Sequence, residues 1–200
     1  MTESINAVIL AAGKGSRLKI KIPKPLCECL GKPLVDYVLE NLFLFSKTQS
    51  FDLHVGVVVG HEKEQVTHSI TSSFAKQKIQ FVTQEQQLGT GHALKVYFEA
   101  YPEAFENKYT IVACADTPLI TETVYEKLIK SLEENEYDGI AASFILSNPT
   151  GYGRILKSEK GFQIIEEKDA DESQRLIQEV NSGVYIFKTE YIKKHNQNLD

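Results

Sequence analysis

Two glycines set one residue apart stand behind an apolar run, in Leu10-Ala11-Ala12-Gly13-Lys14-Gly15-Ser16-Arg17, and Lys24 follows between Pro23 and Pro25. Glycine lets backbone N–H groups approach a ligand closely. A guanidinium offers a planar fork for phosphate oxygens and an ammonium a compact charge. The combination suits a nucleoside triphosphate. The two familiar glycine-rich phosphate motifs are absent, because Leu18 stands where a Walker A loop needs its second glycine and a dinucleotide fingerprint its third. Taken alone, such a stretch is more often a surface turn with solvated cations.

Other segments carry chemistry of the same kind. Asp116 in Ala113-Cys114-Ala115-Asp116-Thr117-Pro118 can hold Mg²⁺, which takes one or two carboxylates and fills its remaining positions with water and substrate phosphate. An aspartate before Thr-Pro can equally form a turn or cap a helix. Gln84, Gln86 and Gln87, ahead of Gly89-Thr90-Gly91, have amides able to read a base edge through donor and acceptor bonds. Glu166, Glu167, Lys168 and Asp169 read as the solvated end of a strand. His61-Glu62 lacks the second histidine of a zinc-protease helix, since Gln65 occupies its place. His92 suits packing or loop anchoring. Cys27, Cys29 and Cys114 have no metal-site spacing and read as buried thiols.

These residues need a frame to bring them together. Ile5–Leu10 is a short apolar run without strict alternation, expected of a strand buried on both faces. A helix is predicted over 33–46, a strand over 51–59, a helix within 61–74 and a strand over 78–84. A loop entering a helix is predicted over 89–101, and a strand over 108–116. A helix over 121–134 opens on a capping Thr121 with Glu122. Strands at 140–146, 153–157, 162–167 and 180–187 follow. The alternation predicts an α/β fold: a Rossmann-like three-layer, mixed but mainly parallel sheet with helices on both faces, binding ligands beyond the carboxyl ends of its strands. The loops GKGSR, QEQQLGTG and ADTP all follow strands.

Composition sets outer limits. The chain has 200 residues, 42% of them hydrophobic, and a net charge of −5. That balance argues against a sequence-independent nucleic-acid binder, which needs a broad basic surface. The N-terminus does not read as a leader, and no run is long enough for a membrane span, so a cytoplasmic protein is expected.

In their order and spacing, LAAGKGSR with IPKPL, QEQQLGTGHA, ADTPLI, PTGYGRI, IIEEKDA and EVNSGVYIF resemble the sugar-nucleotide pyrophosphorylase family. QLGTGHA, GYGRI and EEKDA point to its N-acetylglucosamine-1-phosphate uridylyltransferase branch. The resemblance spans roughly residues 5–187 and implies transfer of a uridylyl group from UTP to N-acetylglucosamine 1-phosphate, with Mg²⁺. It implies that Leu10, Ala11, Ala12, Gly13, Gly15, Gln84, Gln87 and Gly89 hold the nucleotide, and that Arg17 and Lys24 bind the triphosphate. Asp116 would bind the metal, and Thr90, Gly153, Glu166 and Asn181 the sugar. The family has glycine where this chain has Ala115. The resemblance further implies one nucleotidyltransferase domain over 1–200, without the family's C-terminal segment and β-helix acetyltransferase domain, and leaves oligomeric state open. Another sugar 1-phosphate or nucleotide, or a non-catalytic nucleotide-sugar-binding module, is the alternative.

Overall fold

In the computed structural model, which describes residues 2–13, 15, 22–159 and 161–198, the apolar runs form strands and the periodic segments between them form helices. In chain order these are Ser4–Ala11 (β1), Glu28–Cys29 (β2), Lys32–Pro33 (β3), Leu34–Gln49 (α1), Asp52–Val59 (β4), Lys63–Ser73 (α2), Ile79–Thr83 (β5) and Thr90–Ala100 (α3). Then come Tyr109–Cys114 (β6), Glu122–Glu134 (α4), Gly139–Ile145 (β7), Arg154–Ser158 (β8), Gly161–Ile165 (β9), Glu172–Arg175 (α5), Glu179–Lys188 (β10) and Thr189–His195 (α6). Two compact units result, one of residues 1–140 with 185–200 and one of 141–184.

In the larger unit the strand order is β5-β4-β1-β6, with β10 beyond β6. β1 runs parallel to both β4 and β6, and β4 runs parallel to β5. The chain therefore winds outward from β1 through β4 to β5, then crosses to the other side of β1 for β6. That reversal is a topological switch point, where a crevice opens beyond the strand ends. The register places Ala11 opposite Val59, Val59 opposite Thr83, and Leu10 opposite Cys114. The loops that follow β1, β4, β5 and β6 consequently leave the sheet at one edge.

Helices cover both faces. Successive strand residues point to opposite sides, and Val8, Val58 and Val112 pack against Ala93, Leu94, Tyr97 and Phe98 of α3 and Ile192 of α6. Gly56 lies on the same side, and a Cβ there would sit 2.1 Å from the Tyr97 ring. That glycine is therefore what lets α3 lie close to the sheet. α1 buries Val35, Val38, Leu39, Leu42 and Phe45, and Phe45 meets Tyr125 of α4 with ring centroids 5.8 Å apart. Each fully buried side chain of this kind is worth about 1.5–3 kcal/mol.

The amino-terminal end of the sheet is tied by polar groups. The Asn6 amide nitrogen donates to the Ala104 carbonyl at 2.9 Å and to Thr110 Oγ1 at 3.1 Å, while its oxygen accepts from Asn107 Nδ2 at 2.6 Å. Thr110 in turn meets Thr189 Oγ1 at 2.9 Å, and Asn6, Thr110 and Thr189 are all fully buried. The network joins β1, β6 and the start of α6.

In the smaller unit β8 and β9 form an antiparallel hairpin, and Val180 of β10 pairs with Arg154 of β8. Arg154 is 1% exposed. Its Nη2 donates to Glu167 Oε2 at 2.7 Å and to the Arg175 carbonyl at 3.3 Å, and its Nη1 donates to the Tyr152 carbonyl. Glu167 thus anchors a buried cation instead of ending a strand in solvent. The Arg154 bond, aided by the Gly151 N–H at 3.1 Å, holds its carboxyl below the ordinary carboxylate range.

Several local expectations needed correction. Helix α1 starts one residue later, because Pro33 pairs with Glu28 in the β2–β3 hairpin, and it continues to Gln49. Thr121 stands at the start of α4 but makes no side-chain capping bond. The capping box is instead at α5, where Asp171 and Gln174 bond reciprocally. Cys29 is exposed, and Cys27 and Cys114 are half-buried. Among the described residues, no helix is long and apolar enough to cross a membrane.

Candidate active site

Beyond the switch point the larger unit has a cleft of about 440 Å³. The loop after β1 supplies Leu10, Ala11, Ala12, Gly13 and Gly15 to its lining, and Lys24 and Pro25 follow from the next turn. The segment after β5 supplies Gln84, Gln87, Gly89 and Thr90, and the end of β6 supplies Cys114, Ala115 and Asp116. Leu10, Ala11, Ala12, Gly13, Gly15, Gln84, Gln87 and Gly89 therefore line one cleft with Lys24, Asp116 and Thr90, whereas Gln86, also named from sequence as able to read a base edge, is not in its lining. Arg17 lies outside the described residues.

Local backbone chemistry explains how the loops reach this place. Gly15 has φ +58°, a left-handed conformation that glycine adopts freely, and a Cβ there would lie 3.1 Å from Lys24 Cβ. The close packing of Gly15 on Lys24 holds the cation beside the glycine turn. Gly60 lies equally close to Ala12, with a Cβ position 3.0 Å from the Ala12 carbonyl oxygen. Gly89 has φ +112° and ψ −175°, a region open essentially to glycine alone, and it turns the chain into α3.

Charge is concentrated on one wall. Lys24 Nζ pairs with Asp116 Oδ2, and their side chains are 42% and 23% exposed. Ala115 is 1% exposed and its N–H donates to the Leu10 carbonyl at 3.1 Å, so the residue after β6 is tied to β1. Thr117 Oγ1 closes the turn by donating to the Cys114 carbonyl at 2.8 Å. A carboxylate and an ammonium are thereby held within reach of one another beside exposed glycine backbone.

Gln84 is nearly buried, at 4% exposure. Its N–H donates to the Val59 carbonyl at 2.8 Å. Its side-chain nitrogen bonds the Gly89 carbonyl at 3.1 Å and meets His92 Nδ1 at 2.9 Å. His92 anchors a loop here, as its position at a helix start suggested, although nothing in the sequence indicated that Gln84 was the residue anchored. Cys114, Ala93 and Val58 also line the cleft, and only their placement at strand ends or on the first turn of α3 could have marked them.

The remaining sugar candidates belong to the smaller unit. The Asn181 N–H donates to the Gly153 carbonyl at 2.9 Å, and a Cβ on Gly153 would lie 3.2 Å from Glu166 Oε1. Gly153, Glu166 and Asn181 are thus neighbours. The Asn181 side-chain oxygen accepts from the Gly183 N–H at 3.0 Å.

A family model described as MobA-like NTP transferase domain matches residues 7–179. The chain is 38% identical over 187 residues to the "Bifunctional protein GlmU" of Bacillus subtilis, covering 92% of this chain and 38% of that protein. It is 37% identical over 196 residues to the protein of the same name from Fervidobacterium nodosum, covering 98% of this chain and 39% of that protein. The chain spans about two fifths of the length of these curated relatives. Among solved structures, HddC from Yersinia pseudotuberculosis complexed with GMP-PN superposes with a TM-score of 0.68 at 24% identity, over 94% of this chain and 78% of that one. A UDP-glucose pyrophosphorylase complexed with UDP-glucose gives 0.64 at 21% identity, over 97% and 80%. These two share the expected fold: a mixed, mostly parallel sheet with helices around it.

Proposed function

Because the chain belongs to the family of MobA-like NTP transferase domains, we propose that it transfers the uridylyl group of UTP to N-acetylglucosamine 1-phosphate, giving UDP-N-acetylglucosamine and pyrophosphate. The observation that carries this reading is the convergence of glycine backbone, Lys24, Asp116 and the Gln84–Gly89 segment on one cleft at the switch point. The resemblance of QLGTGHA, GYGRI and EEKDA to the N-acetylglucosamine branch, together with the similarity to GlmU proteins, supports the choice of substrates.

In this reaction an oxygen of the sugar phosphate attacks the α-phosphorus in line, and the bond to the β-phosphate breaks to release pyrophosphate. No protein nucleophile is required, since positioning and charge neutralisation supply the acceleration. The Ala11–Gly13 backbone receives the nucleoside, with Gln84, Gln87 and Gly89 on its base side. Lys24 places a positive charge against the triphosphate, and Arg17 is proposed as the second cation. Thr90, Gly153, Glu166 and Asn181 are proposed contacts of the sugar.

A Mg²⁺-type ion fits the donor set. Such an ion takes one or two carboxylates and completes its shell with water and substrate phosphate, and Asp116 is a carboxylate on the cleft wall. When bound, it would neutralise phosphate charge.

The test is pyrophosphate release by the purified chain, with Mg²⁺, across a panel of nucleoside triphosphates and sugar 1-phosphates. The expected result is release specific to UTP with N-acetylglucosamine 1-phosphate, reduced about 10²–10³-fold in Lys24→Ala and abolished in Asp116→Asn. Turnover of a different pair would overturn the substrate assignment. Undiminished turnover in Lys24→Ala would overturn the role of the cation.

A further inference from the structure

At Gln84 the end of β4, the loop before α3 and the cleft meet. Its main chain is held by Val59, and its amide nitrogen is shared between the Gly89 carbonyl at 3.1 Å and His92 Nδ1 at 2.9 Å. A carbonyl oxygen can only accept, so the atom facing Gly89 is the NH₂. The same nitrogen faces His92, whose Nδ1 accepts in the tautomer protonated at Nε2, an assignment made from the bonding pattern. Both amide hydrogens are then committed to the loop. The polar atom that Gln84 has left for the cleft it lines is the amide oxygen.

A primary amide that can turn over presents a donor as readily as an acceptor. One backed by two acceptors presents only its oxygen, because reversing it would set oxygen against oxygen and against a nitrogen lone pair. We propose that His92 is a positioning residue that locks the Gln84 amide, so that the cleft reads a pyrimidine carrying a proton at N3, as uracil does, and disfavours cytosine, whose N3 is an acceptor. The inference rests on the uridylyl-transfer reading and supplies a physical basis for its choice of base. His92 acts through Gln84 and has no contact with substrate.

The experiment compares wild type, His92→Leu and His92→Asn by two readouts: kcat and KM for UTP and CTP, and hydrogen exchange of the Gln84 side-chain amide by NMR. Leucine removes the acceptor, whereas asparagine can place its Oδ1 near the position of Nδ1. For His92→Leu the UTP-over-CTP ratio of kcat/KM should fall about three- to tenfold, the range expected for one hydrogen bond. The loss should appear in KM for UTP, and exchange of the Gln84 amide should accelerate. His92→Asn should restore both. An unchanged ratio with an unchanged amide in His92→Leu, or no recovery in His92→Asn, would overturn the lock. A wild type that prefers CTP would overturn the polarity assigned to the amide. A wild type that turns over neither nucleotide, but whose Gln84 amide loses protection in His92→Leu, would remove the functional reading while the lock stands.

Discussion

Replacing Asn6 by alanine should weaken the fold without touching turnover. Asn6 is fully buried and makes three hydrogen bonds, of 2.9, 3.1 and 2.6 Å. At about 1 kcal/mol each, their loss amounts to about 3 kcal/mol. No further penalty for stranded partners is added, because Thr110 keeps Thr189 at 2.9 Å, the Ala104 carbonyl keeps the Asn107 N–H at 3.3 Å, and the Asn107 side-chain amide is only half-buried and turns to water. For a chain of 200 residues this corresponds to a fall in Tm of about 6–12 °C. Asn6 stands five residues before Ala11 on β1, roughly 16 Å from the cleft end at a rise of about 3.3 Å per residue. Calorimetry should show the fall in Tm, and pyrophosphate release at a temperature where both proteins are folded should give the same kcat/KM. A shift below about 2 °C would refute the energetic account. Lost activity at unchanged Tm would refute the separation of a structural end from a chemical end.

Asp36 is 5% exposed, its Oδ1 has no hydrogen-bond partner, and its Oδ2 accepts from Ser73 at 2.8 Å. Burial raises its carboxyl above the ordinary range, against the lowering effect of Ser73. Its contribution to stability is therefore full below the unfolded-state value and is lost as pH rises through the folded one. Asp36→Asn should raise Tm at neutral pH, a gain that disappears below about pH 4; thermal melts across that range check it, and a constant difference would refute it. Gly89→Ala meets no crowding, since a Cβ there has no heavy atom within 4 Å, but at φ +112° it should cost about 1–3 kcal/mol. A denaturant titration measures that loss, and a raised KM for UTP should accompany it.

Much of this arrangement could be read along the chain, because strands buried on both faces leave apolar runs and the polar loops behind them are conspicuous. The β1, β4 and β6 strands and the GKGSR and ADTP loops are of this kind. What escaped depends on contacts distant in sequence. The Arg154–Glu167 pair sits in segments that look solvated, and only the fold of the smaller unit buries the arginine. The Gln84 amide is oriented by a histidine eight residues away, a relation that polar composition does not reveal. The division into two units falls inside β7 and β10, and a strand interior carries no linker composition. The β2–β3 hairpin was hidden because Pro33 looked like the first residue of a helix.

The pairing of Lys24 with Asp116 bears on what can enter the cleft. An anion arriving alone meets a lysine already matched, and a cation arriving alone meets an aspartate already matched. Either would have to pull the two apart and leave one of them without a counter-charge. The proposed triphosphate with its own cation exchanges partners instead: the phosphate takes Lys24 and the cation takes Asp116, so neither protein charge is left without a counter-charge. On the proposed function, the Lys24–Asp116 pairing favours entry of a triphosphate together with a divalent cation over entry of either one alone.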